Sequence, residues 1–182
     1  MRKAGLFATI VFAAILAMWG RNAIPAQDRY ELKEPNGIAF SEIRGYETWQ
    51  VIAVSRRTDV NELRTILGNP AMIAAYKSGI PGNGQPFPDG VKIVKIAWAE
   101  KQSPVFPAAW EPGELRRVEF IIKDAKRFPV TNGWGYARFV YDPKTATFSP
   151  WASDNPAFAQ QCHQCHTIVK AKDFIFTNYP ER

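Results

Sequence analysis

From residue 48 onward the chain alternates short runs of β-branched and aromatic residues with clusters of glycine, proline and asparagine. Thr48-Trp49-Gln50-Val51-Ile52-Ala53-Val54, Val91 to Trp98, Val118-Glu119-Phe120-Ile121-Ile122 and Trp134 to Tyr141 have the composition of half-buried strands. Gly79-Ile80-Pro81-Gly82-Asn83-Gly84, Phe87-Pro88-Asp89-Gly90 and Thr131-Asn132-Gly133 mark turns between them. Helical signals are few. Asn69-Pro70 places a cap and a first-turn proline before Ala71-Met72-Ile73-Ala74-Ala75-Tyr76-Lys77, and Asn155-Pro156 repeats the arrangement near the C-terminus. The expected class is α+β, mainly β: an antiparallel sheet with a few short helices, one of them C-terminal. Within the strand from Val91 to Ala99, period-two alternation puts Lys95 on one face with Val91, Ile93, Ala97 and Ala99. An inward lysine must be paired, neutralised or consumed by a bond, because an isolated buried charge is costly.

The opening of the chain follows a different pattern. Arg2 and Lys3 precede an apolar stretch from Ala4 to Trp19, and Ala23-Ile24-Pro25-Ala26 follows. This is the pattern of a secretory signal, residues 1–26, with cleavage after Ala26. The stretch is shorter than the roughly 20 residues that span a bilayer as a helix. An uncleaved membrane anchor is the alternative, since Ile24 makes the small-residue site imperfect. Either way the folded part, residues 27–182, is expected on the far side of the membrane, in the periplasm of a bacterial cell, as a single domain with one core.

Charge changes the picture little. The chain has 23 basic and 17 acidic residues, a net +6. Removing Arg2, Lys3 and Arg21 halves that excess. The remaining Lys and Arg are scattered, with no basic run interleaved with stacking aromatics, which argues against nucleic-acid binding.

Chemistry concentrates in five residues. Cys162-His163-Gln164-Cys165-His166 is C-x-x-C-H, and it holds both cysteines and both histidines of the chain. Two thiols at this spacing can add across the two vinyl groups of one haem, and the following histidine then lies under the porphyrin as an axial iron ligand. The expected cofactor is one covalently bound haem c, held by Cys162 and Cys165 and ligated by His166. Three alternatives compete. A structural zinc site needs ligands from separated segments, and no second pair exists. A thioredoxin-like C-x-x-C needs a strand before it, whereas residues 155–161 read as a helix running into the motif. A plain disulfide leaves His166 unexplained.

The motif lies near the C-terminus, and residues 27–182 contain one methionine, Met72, in an apolar stripe that reads as core. His163 is confined to the attachment loop. The sixth ligand is therefore Met72, a lysine, water or nothing, and the expectation is an open iron site that binds small molecules.

Asp89 to Trp98, Ile122-Lys123-Asp124-Ala125-Lys126-Arg127-Phe128, Gly133-Trp134-Gly135-Tyr136, and Cys162 to His166 followed by Lys172 to Thr177 together resemble the cytochrome P-460 family, which includes the cytochromes c′-beta. The resemblance implies a mainly antiparallel β fold, commonly a homodimer, with a five-coordinate c-haem. It also implies one of two activities. Members proper oxidise hydroxylamine and carry a lysine cross-linked to the porphyrin edge; c′-beta members bind nitric oxide or carbon monoxide in a pocket capped by aromatics.

The family places its lysine in the strand that holds Lys95, so Lys95 is the candidate cross-linking residue and Lys92 the alternative. Pairing of Lys95 with a haem propionate or with a buried carboxylate such as Glu119 is the competing reading. Arg64 and Arg138 are candidates to clamp propionates by bidentate hydrogen bonds. Phe87, Phe106 and Trp134 are candidates for the distal cap. Oxidising hydroxylamine requires a proton acceptor, and the segment entering the motif offers only Asp154. Three functions stand: a hydroxylamine-oxidising enzyme passing electrons to a periplasmic partner, a binding protein for nitric oxide or carbon monoxide, and an electron carrier.

Overall fold

The computed structural model describes residues 27–152, 154–155 and 157–182. The expected signal segment, 1–26, lies outside the described residues. Among those residues no helix is long and apolar enough to cross a membrane.

Six strands form one antiparallel sheet in sequence order: β1 (Gln50–Arg57), β2 (Glu62–Gly68), β3 (Lys92–Gln102), β4 (Trp110–Lys123), β5 (Trp134–Asp142) and β6 (Thr147–Pro150). Helix α1 (Pro70–Lys77) joins β2 to β3, and α2 (Phe158–His166) follows β6 and runs into a 3-10 segment, Thr167–Lys172. The α+β, mainly β architecture read from the sequence is the one observed. All four expected strands are present.

Two strands carry no strong signal in the sequence. β2 alternates Glu62, Arg64 and Ile66 with Leu63, Thr65 and Leu67. Its charged positions face other charges across the sheet rather than water, so the alternation reads as surface. β6 is four residues long and ends in Pro150, which a sheet tolerates because β6 is an edge strand. β4 extends well upstream of Val118. Pro112 and Gly113 read as breakers, but the β3–β4 register is irregular there, between Ala97 and Glu100. Gly113 is required at that point, since a Cβ on it would come within 3.0 Å of the Ala99 carbonyl.

Helix α1 begins as expected. The Asn69 side chain accepts from the Met72 N–H and also from the Lys92 N–H, each at 3.0 Å, tying the helix start to β3. Helix α2 starts later than Asn155-Pro156 suggests. Its N-cap is Ala157, without a side-chain cap, while Asn155 Oδ1 accepts from the Ala157 N–H just before the helix. The helix is instead anchored by burial of Phe158.

Each sheet face has its own core. On one, the cross-strand row Leu67, Val94, Phe120 and Ala137 is covered by the N-terminal segment through Ile38, Phe40 and Ile43. Phe40 is the centre of that layer, with ring centroids 4.9 Å from Phe139 and 5.3 Å from Phe148. The opposite face packs against α1, α2 and the C-terminal segment through Met72, Ile73, Phe158, Phe174 and Ile175. The N-terminal segment is clasped to the far end of the chain. Gln27 exchanges two hydrogen bonds with the Phe148 backbone, at 2.7 and 2.8 Å. The buried Glu34 carboxylate accepts from the N–H groups of Arg138, Trp151 and Ala152.

Candidate haem site

The C-x-x-C-H motif forms the end of α2, with His166 its last residue. The Cys162 and Cys165 thiols are both free; Cys162 packs against the core under α2, and Cys165 is exposed. Burial pushes the Cys162 thiol up, with Glu119 adding to the rise and Arg138 and Lys95 opposing it. The motif lies over the sheet face whose core includes Ile66 and Ile93.

His166 is oriented by a backbone contact. Its Nδ1 lies 2.7 Å from the Phe174 carbonyl oxygen, so Nδ1 carries the proton and Nε2 presents its lone pair. Metal-ligating imidazoles commonly donate their other ring N–H to a carbonyl in this way. Burial holds His166 below the ordinary histidine value, and nearby Lys95 acts in the same direction. Tyr136 and Phe176 flank the ring edge-on, each at 5.0 Å.

His163 is engaged through both nitrogens. Its Nε2 donates to Asn132 Oδ1 at 3.0 Å, which leaves Nδ1 to accept from the Tyr136 hydroxyl at 2.9 Å. Its ring also packs, tilted, against Phe174 with centroids 4.6 Å apart. The sequence shows His163 only as a spacer; its partners come from β5 and the turn before it, which local spacing cannot reveal.

On the sheet beneath, one cross-strand row reads Ile66, Lys95, Glu119, Arg138. Lys95 Nζ lies 2.5 Å from Glu119 Oε2, and Arg138 Nε lies 2.5 Å from Glu119 Oε1. Pairing with Glu119, the competing reading for Lys95, is thus the arrangement in this structure. Burial lowers the Lys95 amine from its ordinary value although Glu119 pulls it upward. Lys92 points to the other face and donates to the Glu42 carbonyl at 2.6 Å.

Arg64 donates to Glu62 at 2.7 Å, and Glu62 is also held by Arg116 and Arg117. Arg138 lies 4.4 Å above the Trp151 ring. Both candidate clamps are thus on the sheet face that carries Lys95, each tied to a carboxylate of the protein. Burial alone would raise Glu62 and Glu119. Arg117 and Arg64 overcome it at Glu62, and Lys95, Arg138 and Arg117 at Glu119, holding each at about 2.

The remaining sequence candidates are dispersed. Phe87 and Trp134 are buried against each other, with centroids 6.1 Å apart, and Phe106 is exposed in the β3–β4 loop. Met72 is fully buried among Ile52, Ile73 and their neighbours. Asp154 is exposed.

These residues fit a haem. Nε2 of His166 is free for a metal, both thiols lie on the same helix end, and the adjoining face carries Lys95, Arg64, Arg116, Arg117 and Arg138 around Glu62 and Glu119, with Glu114 at the edge of the cleft. That cationic surplus suits two propionates. Arg117 Nε and Arg138 Nε are buried and face Glu119 without hydrogen-bond alignment, so two donors there lack a well-placed acceptor. A cleft of about 370 Å³ opens beside them, lined in part by Arg117, Arg138, Val140 and Trp151.

No curated protein matches the chain. The family model described as Cytochrome P460 matches residues 43–177. That span runs from just before β1 through the whole sheet, the attachment helix and the Phe174 carbonyl behind His166, and the chain belongs to the cytochrome P460 family of haem proteins.

Proposed function

We propose that the chain is an exported, periplasmic mono-haem c-type cytochrome with an open iron position for a small nitrogenous ligand, nitric oxide or hydroxylamine. Cys162 and Cys165 hold one haem by thioether bonds and His166 Nε2 is the proximal ligand. Such a haem supplies an iron that binds the small molecule and exchanges electrons with it. The observation carrying the reading is that the side chains offered as a second axial ligand are already engaged. His163 is bonded through both nitrogens, Met72 is sealed in the core, Lys95 pairs with Glu119 and Lys92 lies on the other face.

The protein groups divide the work. The Phe174 carbonyl fixes the His166 tautomer, and Arg138, Arg117 and Arg64, from two neighbouring cross-strand rows, receive the propionates. Binding is favoured over turnover by Glu119. It is the carboxylate beside Lys95, yet held near 2 it takes a proton from substrate poorly at neutral pH.

Hydroxylamine oxidation is the second reading, supported by the position of Lys95 beside the haem-side row with a lowered amine. It includes a bond from Lys95 Nζ to a porphyrin carbon. One N–H and one C–H are lost, and the electron pair passes to a two-electron oxidant. A homodimer and a periplasmic redox partner complete the proposal.

The test is an optical spectrum of the reduced protein with its intact mass. Mass for one haem and an ordinary five-coordinate spectrum support the binding reading. A ferrous Soret band far to the red, with mass reduced by the lost hydrogens, supports the cross-link, and nitrous oxide formed from hydroxylamine and an added oxidant supports turnover. A low-spin, six-coordinate spectrum in both redox states overturns the open site and restores electron transfer.

A further inference from the structure

The lysine of Lys123-Asp124-Ala125, a segment that no part of the haem chemistry uses, stands at the end of β4 with its side chain buried. Its Nζ donates to the Asn132 carbonyl at 3.0 Å and to both Asp173 oxygens, at 3.0 and 3.2 Å, and lies 4.6 Å from the centre of the Trp134 ring. One ammonium thus ties together two segments far apart in the chain, and each supports one histidine of the attachment motif.

The first arm runs through Asp173. Asp173 and Phe174 are consecutive non-glycine residues in the left-handed region, with φ of 47° and 66°. Residues with a Cβ enter that region at a cost and remain there only when surrounding contacts hold them. Backbone hydrogen bonds from Asp173 and Phe174 to Lys170 and Val169 close the turn, and the side-chain contacts are the Lys123 ion pair and the Phe87 N–H, which donates to Asp173 Oδ2 at 2.8 Å. The outcome of this bend is that the Phe174 carbonyl reaches His166 Nδ1. The second arm runs through Asn132, also left-handed at φ 55°, whose side chain receives the His163 Nε2 proton.

We infer that Lys123 is the positioning residue of the proximal side: through Asp173 it holds the Phe174 carbonyl on His166 Nδ1, and through Asn132 it holds His163, so that it sets how strongly His166 binds iron. The inference rests on the reading of His166 as proximal ligand. A firm Nδ1–H to carbonyl bond gives the imidazole more anionic character and strengthens its bond to the metal. Loosening the carbonyl weakens it.

The experiment is resonance Raman of the ferrous holoprotein, reading the iron–histidine stretch in wild type, Lys123→Arg, Lys123→Met and Asp173→Asn, with thermal midpoints measured alongside. The expected result is a downshift in Lys123→Met and a smaller one in Asp173→Asn, with Lys123→Arg near wild type. The reduction potential adds a sign test. Removing a cation by charge alone lowers the potential of Lys123→Met, whereas a weakened imidazole donor raises it, and a rise is expected. A lowered thermal midpoint with the stretch unchanged in Lys123→Met overturns the inference and leaves Lys123 a structural ion pair. If Lys123→Met yields no holoprotein, an unchanged stretch in Asp173→Asn overturns it equally. Absence of an iron–histidine band in a wild type whose ferrous spectrum is five-coordinate and high-spin instead sinks the proximal-ligand reading itself.

Discussion

Glu62 is the residue in which charge and burial meet most tightly. It is 2% exposed, yet stays ionised because Arg117, Arg64 and Arg116 surround it. Replacing it with glutamine removes charge-assisted bonds from three guanidiniums and is expected to destabilise the fold by about 2 kcal/mol at neutral pH in urea unfolding. The pH dependence has a definite sign. The folded carboxyl titrates near 2 and the ordinary value is 4.5, so the stabilisation is complete above about 4.5 and disappears as pH falls toward 2. Wild type and Glu62→Gln should therefore converge in stability over that window, and a constant difference down to pH 2 would contradict the assignment. At this scale the C-x-x-C-H spacing of Cys162, Cys165 and His166 is visible in the sequence because it is a matter of adjacency alone. Glu62 and Glu119 are not, because their partners Arg117, Lys95 and Arg138 are fixed by cross-strand register. Lys95 is a case between the two. Alternation places it on the correct face, but its pairing with Glu119 needs β4 in register.

Among the elements, α1 shows how a local signal can be complete. Asn69, Pro70 and the apolar run that follows state the helix start, and the structure adds that Asn69 also accepts from the Lys92 N–H and donates to the Gly90 carbonyl. Asn69→Ala should cost between about 1 and 2 kcal/mol, at the upper end of cap losses, since two N–H groups lose their acceptor. Thermal unfolding checks this, and a loss below about 0.5 kcal/mol would show that water replaces the cap. Helix α2 is the contrasting case. Asn155 resembles a cap in sequence, but burial of Phe158 and the Trp151 ring packed edge-on at 6.1 Å set the helix start two residues later. β2 and the first half of β4 escape sequence reading for a shared reason. Glu62, Arg64, Pro112 and Gly113 are poor strand residues in isolation, and the neighbouring strands supply the partners and the bulge that accommodate them.

For the whole molecule, the two cores on opposite sheet faces divide the labour. The N-terminal core around Phe40 touches no residue of the haem motif, whereas the other core packs directly against Cys162. Phe40→Ala should cost about 3–5 kcal/mol and leave the holoprotein spectrum unchanged wherever the variant folds. His166→Ala should leave the apo sheet intact by circular dichroism and change the haem spectrum. Reversal of these two outcomes would mean that the faces are coupled more tightly than their separate cores imply. The mainly β class was readable from four strand-like runs; the two-sided layering was not, because Ile38, Phe40 and Ile43 lie in irregular segments whose periodicity carries no strand or helix signature.

The clasp of Gln27 on Phe148 and of Glu34 on Arg138, Trp151 and Ala152 has a kinetic consequence. Every strand pairs with its sequence neighbour, so the meander can zip hairpin by hairpin with short loop closures. The clasp instead joins positions more than 100 residues apart and needs β5 and β6 already formed. It is therefore expected to close only after the sheet has zipped. Pulse-labelled amide exchange during refolding should protect the Phe120 and Ala137 amides before those of Trp151 and Ala152, and Glu34→Gln should speed unfolding while leaving the folding rate nearly untouched.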